Sequence, residues 1–370
     1  MIGFFVDDNA EDRIRISRLL EQDDLKIDPQ FEPIAPTDLR DALLEKAPDL
    51  VALDFRLDDE DLDDNNYKGG ALAQILREAV LETPGQDFPI ILVSTEENIK
   101  QIYSIDRTSH DLFDQKYMKG RLNDKLYRAT CHREVLSLAN GYKAIASAIG
   151  KGQLDLNTLL DLDTDELEIV PLHGLATDVK DGNSVTHVVA GILLRQIIGR
   201  AGPLLAEKDI AAHLGLANDG KQIAQVMEYL DQLGMSYTGV FADGWPRVWR
   251  HRMDEWASEL FGSPPSSLSG EERATKLSEA TGFDLKPAVS TWTGKHDELF
   301  AFACSVCENP TERRNSLALY DKYLVPYLER RRVCFDCVIR GRLADLPNFT
   351  VDDSDVDIVD DIFSEKIKRA

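Results

Sequence analysis

Five side chains in the first third of the sequence have the types needed to handle a phosphoryl group. Asp7 and Asp8 follow the apolar run Ile2-Gly3-Phe4-Phe5-Val6, and Asp54 follows Leu50-Val51-Ala52-Leu53. Ser94 closes Pro89-Ile90-Ile91-Leu92-Val93, and Lys116 comes shortly after Leu112-Phe113. Three carboxylates held together repel, which raises at least one pKa unless a cation lies among them. Mg²⁺ suits such a place, because it takes hard oxygen ligands, keeps several waters and accepts phosphate oxygens. An oxygen of Asp54 would then attack a phosphoryl donor in line. The metal and the Lys116 ammonium would offset charge on the equatorial oxygens, and the Ser94 hydroxyl would hydrogen-bond the new acyl phosphate.

The elements that must position these groups are legible in the same runs. Buried parallel strands read as short continuous apolar segments, and open α/β sheets collect their chemistry at the strands' carboxyl ends. The expected fold of this part is therefore α/β, an open parallel sheet with helices between its strands. A lone Asp at a strand end often just caps the next helix. Four such pieces in order are the argument here.

The pieces FFVDD, LVALDFRL, PIILVST and FDQK, in that order, resemble the receiver domains of two-component response regulators. The resemblance covers about the first third of the chain, the scale of one small domain. It implies a doubly wound, five-stranded parallel sheet of flavodoxin-like type, with Asp54 the phospho-acceptor and Asp7 and Asp8 the acidic pair, Asp8 being the more direct metal ligand. It also implies that the backbone carbonyl of Arg56 is a further Mg²⁺ ligand and that Lys116 is the family's lysine. Ser94 and Phe113 take the places of the switch hydroxyl and the switch aromatic, Phe113 standing three residues before Lys116. The chain would be a phosphoprotein in phosphorelay signal transduction rather than an enzyme, receiving its phosphoryl group from a histidine kinase or another phosphodonor. A degenerate receiver that binds partners without phosphorylation, as a scaffold, is the alternative within the family. The loop after Asp54 is acidic from Asp58 to Asp64 before Gly69-Gly70. It would strengthen metal binding, repel donors or face a partner.

The second strong signal is Cys304-Ser305-Val306-Cys307 matched by Cys334-Phe335-Asp336-Cys337. Two such turns place four thiolates to close a tetrahedral Zn²⁺ site with no open ligand, hence a structural one. Free thiols or a redox pair are the competing reading. The segment Ser316 to Arg331 is expected to be a helix. Cys131 stands alone on a helical stretch and reads as a buried small apolar residue.

At 370 residues the chain has room for two or three domains. With 42 Lys and Arg against 66 Asp and Glu, its net charge is −24, which argues against generic nucleic-acid binding. No stretch is apolar and long enough to span a bilayer, and the start reads as a strand rather than a signal peptide, so a cytoplasmic protein without membrane contact is expected. The expected divisions are a receiver over 1–128, a helical connector over 129–184, a winged-helix-like domain over 185–262, a helical Cys₄ module over 271–346 and an acidic tail over 347–370. His173 in the connector reads as structural or surface.

The winged-helix expectation rests on one helix from Leu205 to Leu216 and a second from Gln222 to Leu233. A wing would follow, built from Ser236–Phe241 and Arg247–Arg250. If it met DNA, Lys221, Gln222, Gln225, Arg247 and Arg250 would make the contacts. That helix is weakly basic, so a protein effector is the favoured partner, DNA the second, and a homodimer a further one. Ser269 with Glu272 reads as a capping box. Arg313, Arg314, Arg330, Arg331, Arg332, Arg340 and Arg342 are expected to pair with the chain's own acids.

Overall fold

A computed structural model of the chain describes residues 1–57, 67–82, 86–99, 112–152, 154–170, 172, 175, 177, 179, 185–321, 324–346, 349–364, 366–367 and 369. The acidic loop and His173 lie outside the described residues. The chain divides into two compact units. The first comprises residues 1–167, 172–195 and 238–245. The second comprises 168–171, 196–237 and 246–370. The stretch 129–184, expected to be a connector, therefore falls mostly within the first unit.

In the first unit the strands β1 (Ile2–Val6), β2 (Lys26–Asp28), β3 (Leu50–Leu53), β4 (Ile90–Ser94) and β5 (Gln115–Met118) form one sheet in the order β2-β1-β3-β4-β5. All pairs are parallel. Every residue of β3 and β4 is buried, as strands covered on both faces require. Helices α1 (Ala10–Leu20), α2 (Pro36–Glu45), α3 (Gly69–Glu82) and α4 (Lys125–Gly150) accompany the sheet. Asn9 starts α1 by accepting the Asp12 amide at 2.9 Å, and Asp124 starts α4 by accepting the amides of Leu126 and Tyr127. Such caps satisfy backbone donors that a helix start leaves unpaired.

A buried ion network ties this unit together. The Arg77 guanidinium, on α3, lies 3.2 Å from Asp87 and 2.7 Å from Asp114. Tyr142 on α4 donates to Asp114 at 2.6 Å. His187, in the first turn of the helix Thr186–Leu193, donates its backbone amide to Asp87 at 2.7 Å. The segment 186–193 is thus anchored to the sheet-bearing part of the first unit through a shared carboxylate.

In the second unit the helices Glu207–Leu214, Gly220–Gln232, Arg250–Phe261 and Gly270–Thr281 enclose a core that includes Ile210, Ile223, Leu230, Met253 and Leu277. The capping box is present: Ser269 Oγ accepts the Glu272 amide and the Glu272 carboxylate accepts the Ser269 amide. The two segments expected to build the wing meet in one short antiparallel contact: the Tyr237 amide donates to the Arg247 carbonyl and the Trp249 amide to the Met235 carbonyl, each at 2.9 Å. Ser236 bridges to Val248 between them, residues 238–245 belong to the first unit, and Arg250 begins a helix. Val248 also pairs with Leu205, in the antiparallel strands β6 (Leu204–Leu205) and β7 (Val248–Trp249).

The segment expected as a helix from Ser316 to Arg331 starts as a strand. Antiparallel strands β8 (Phe300–Ala303) and β9 (Pro310–Glu312) are followed by the antiparallel pair β10 (Ser316–Ala318) and β11 (Arg332–Cys334). This β10–β11 pair sits in the core around the cysteines. The tail is not merely solvated. Its helix Val356–Phe363 buries Ile362 in that same core, with Ile358 and Val359 against it. Among the described residues no helix is long and apolar enough to cross a membrane.

Candidate functional site

Strand ends position the acidic site. Asp7 follows β1 and is fully buried, Asp54 follows β3 at 4 % exposure, and Ser94 ends β4 fully buried. Carboxylate oxygens of Asp7, Asp8 and Asp54 all lie within 4.8 Å of one another. The ammonium that meets them belongs to Lys119, the first residue after β5. Its Nζ is 2.5 Å from Asp7 Oδ2, 3.2 Å from Asp54 Oδ1 and 3.4 Å from Asp12 Oδ2.

This corrects the expectation for Lys116. Lys116 pairs with Leu92 in the middle of β5, whereas Met118 pairs with Ser94, so the carboxyl edge is reached at Lys119. Phe113 is shifted by the same slip. It precedes β5 and is packed in the hydrophobic core with Phe88 and Leu92, and the position three before the site lysine is Lys116.

Burial prevails at the two carboxylates and charge at the lysine. It pushes the Asp7 carboxyl up against the opposing pull of Lys119. Burial likewise raises Asp54, aided by the Asp7 charge and opposed by Lys119 and the Ser94 hydroxyl. Burial works to lower Lys119, but the charges of Asp54 and Asp7 win and raise it. Apart from the ion pair with Lys119, the buried Asp54 Oδ1 accepts no hydrogen bond among the described residues. An under-satisfied oxygen within a carboxylate cluster suits a divalent cation. The backbone around Arg56 also fits. Arg56 bridges to Lys68, and the flanking bonds use Leu57 N and Phe55 O, which leaves the Arg56 carbonyl out of that bridge.

Gly69, opening α3, packs directly against the backbone of Asp54. A Cβ there would stand 2.1 Å from the Asp54 carbonyl oxygen.

A second cluster, of cysteines, belongs to the second unit. Cys304 and Cys337 sulfurs are 4.0 Å apart, and those of Cys307 and Cys334 3.8 Å. A tetrahedron with Zn–S of about 2.3 Å has sulfur–sulfur edges of about 3.8 Å, whereas a disulfide needs about 2 Å. The Cys304 sulfur also accepts the amides of Val306 and Cys334, and hydrogen bonds from Cys307 and Cys334 hold its thiol far below the usual range. The set fits Zn²⁺.

The residues expected to meet DNA are divided. Lys221 and Gln225 are exposed. Gln222 is buried and holds the fold, donating to Ala217 O and accepting the Lys286 amide. Arg247 donates to the Ile198 carbonyl, and Arg250 pairs with Asp254 and Glu329. The arginine cluster behaves as expected at most positions: Arg314 pairs with Glu298, Arg330 with Asp352, Arg332 with Asp355, Arg340 with Asp336 and Arg342 with Asp345.

No family model and no curated relative matches the sequence. Similar solved structures include a response regulator receiver domain protein from Clostridium thermocellum, 12% identical, with a TM-score of 0.25, covering 35% of this chain and 93% of that one. The signal receiver domain of NarL from Mycobacterium tuberculosis is 17% identical, TM-score 0.25, covering 38% and 96%. The RcsB response regulator of Salmonella typhimurium is 15% identical, TM-score 0.28, covering 53% and 92%. The strand order defines the first unit as a flavodoxin-like domain, with Asp7, Asp8, Asp54 and Lys119 at the carboxyl edge of its sheet.

Proposed function

We propose that this chain is a phosphorelay switch phosphorylated on Asp54. The observation that carries the reading is the meeting of Asp7, Asp8, Asp54, Ser94 and Lys119 at one sheet edge. Mg²⁺ held by Asp7, Asp8, Asp54 and the Arg56 carbonyl would neutralise charge on the phosphoryl oxygens. The Asp54 carboxylate oxygen attacks the phosphorus of the donor. The new O–P bond forms as the bond from phosphorus to the donor breaks, and the leaving group departs with the electron pair. Lys119 offsets charge on the transferring group, and the Ser94 hydroxyl donates to the acyl phosphate.

A histidine kinase or a small phosphodonor supplies the group, and the second unit, stiffened by a structural Zn²⁺ on Cys304, Cys307, Cys334 and Cys337, is the output. The internal use of Gln222, Arg247 and Arg250 favours an output that works through a protein effector over one that reads DNA. The test is acetyl phosphate with Mg²⁺, followed by intact mass. Wild type should gain one phosphate and Asp54→Ala none. Equal gain on both rejects the assignment.

A further inference from the structure

We propose that the second unit carries a separate binding cavity for a small polyphosphorylated ligand of nucleotide size. The cavity measures about 650 Å³, within the range of small-molecule sites. Five arginines line it, Arg250, Arg273, Arg313, Arg330 and Arg332, against two carboxylates, Asp254 and Glu329. They arrive from well-separated stretches of chain. In a protein with net charge −24, such a local excess of cations runs against the composition.

The two carboxylates do not discharge it. Glu329 lies 2.5 Å from Arg250 and 3.3 Å from His213, and Asp254 lies 3.2 Å from the same Arg250. Arg330 and Arg332 reach acids only at 3.3 and 3.6 Å. Arg313 is exposed and makes no ion pair among the described residues. Arg273 is 1 % exposed, and its guanidinium donates to the carbonyls of His213, Phe300 and Ser269. These bonds also steady the end of the helix Glu207–Leu214. Its charge meets no carboxylate in an ion pair among the described residues, and burial pulls it down to about 10.

Guanidinium forks match phosphate oxygens two bonds at a time, which is why arginine prevails where phosphate is recognised. Several forks around one cavity match more than one phosphate. The volume leaves room for a base and sugar beside them, and Phe300 and Phe302 give the same cavity an apolar wall.

The test is calorimetry on the zinc-loaded full chain carrying Asp54→Ala, at low salt and without added divalent cations, so that the receiver site does not contribute. The probes are ATP, inorganic tripolyphosphate and adenosine. ATP and tripolyphosphate should bind and adenosine should not. Arg313→Glu should weaken ATP at least about tenfold, since it reverses one charge at the rim. Arg330→Gln is the second variant, expected to weaken ATP severalfold. Both should keep the parent's melting temperature. No heat with either polyphosphate, or an ATP affinity equal to the parent's in both variants, overturns the proposal. So does a duplex DNA that binds and that ATP cannot displace.

Discussion

Gly69 and Asp54 touch backbone to backbone: a methyl group on Gly69 would sit 2.1 Å from the carbonyl oxygen of Asp54. The Asp54 backbone is thereby held against the first turn of α3. Gly69→Ala must push that carbonyl away, at a cost of about 1–3 kcal/mol for the overpacking. Labelling of Asp54 by acetyl phosphate should slow about tenfold, as expected for a misplaced reacting group. A time course by intact mass, beside a urea melt, checks both. An unchanged rate would mean that the contact does not set the acceptor's position.

The two lysines are separable by experiment. Lys119→Ala removes the ammonium 3.2 Å from Asp54 and should lower the labelling rate about a hundredfold. Lys116→Ala, within β5, should leave it near wild type. The reverse ranking would restore Lys116 to the site.

Glu329 gives a pH signature. Burial works to raise its pKa, but His213 and Arg250 prevail and hold it below the ordinary value of 4.5. A depressed carboxylate stabilises the fold above its unfolded pKa, and that contribution fades as pH falls through the folded value. Glu329→Gln should therefore cost about 1–3 kcal/mol at pH 7, with the gap closing below pH 4.5. Chemical melts of both proteins across the acid range measure it. A gap independent of pH would show that the charge is irrelevant.

Zinc should be present at one ion per chain. Stripping it with a chelator should collapse the cysteine core, because metal-binding energy in such sites is folding energy. The reporter is Trp292, whose ring stands 5.4 Å from Phe335 at 88° in that core. Its near-ultraviolet circular dichroism should vanish on chelation and return with zinc. Persistence of the signal in metal-free protein would contradict the assignment.

The tail helix should matter to stability. Ile362 is 2 % exposed among the cysteine-core residues, so Ile362→Ala should cost about 2–4 kcal/mol, seen as a lower urea midpoint with little change in slope. An unchanged midpoint would mean that the helix contributes nothing.

The strands that carry Asp7, Asp54 and Ser94 are legible in the sequence because they are buried on both faces and read as unbroken apolar runs. Lys119 is not. Its strand, Gln-Lys-Tyr-Met, is only partly buried, so the apolar doublet Leu112-Phe113 draws the strand end too early. The capping box at Ser269 is a local signal and can be read directly. The strands β10 and β11 are three residues each, too short for an alternating pattern to emerge. The fate of residues 238–245 depends on distant partners, such as the Leu159 carbonyl that accepts the Val240 amide, and no local pattern announces that.

That short stretch has a wider meaning. Phe241 fills the space that a side chain at Gly141 on α4 would need, and Gly244 lies against Ser137 of the same helix. The first unit is therefore finished by a piece of chain that arrives only after the helix ending at Leu193 is complete and residues 196–237 have been laid down in the other unit. Such a molecule cannot be cut and rejoined as a cassette. Recombination that exchanged one half alone would leave Gly141 facing open space, so the two halves are expected to pass between lineages together.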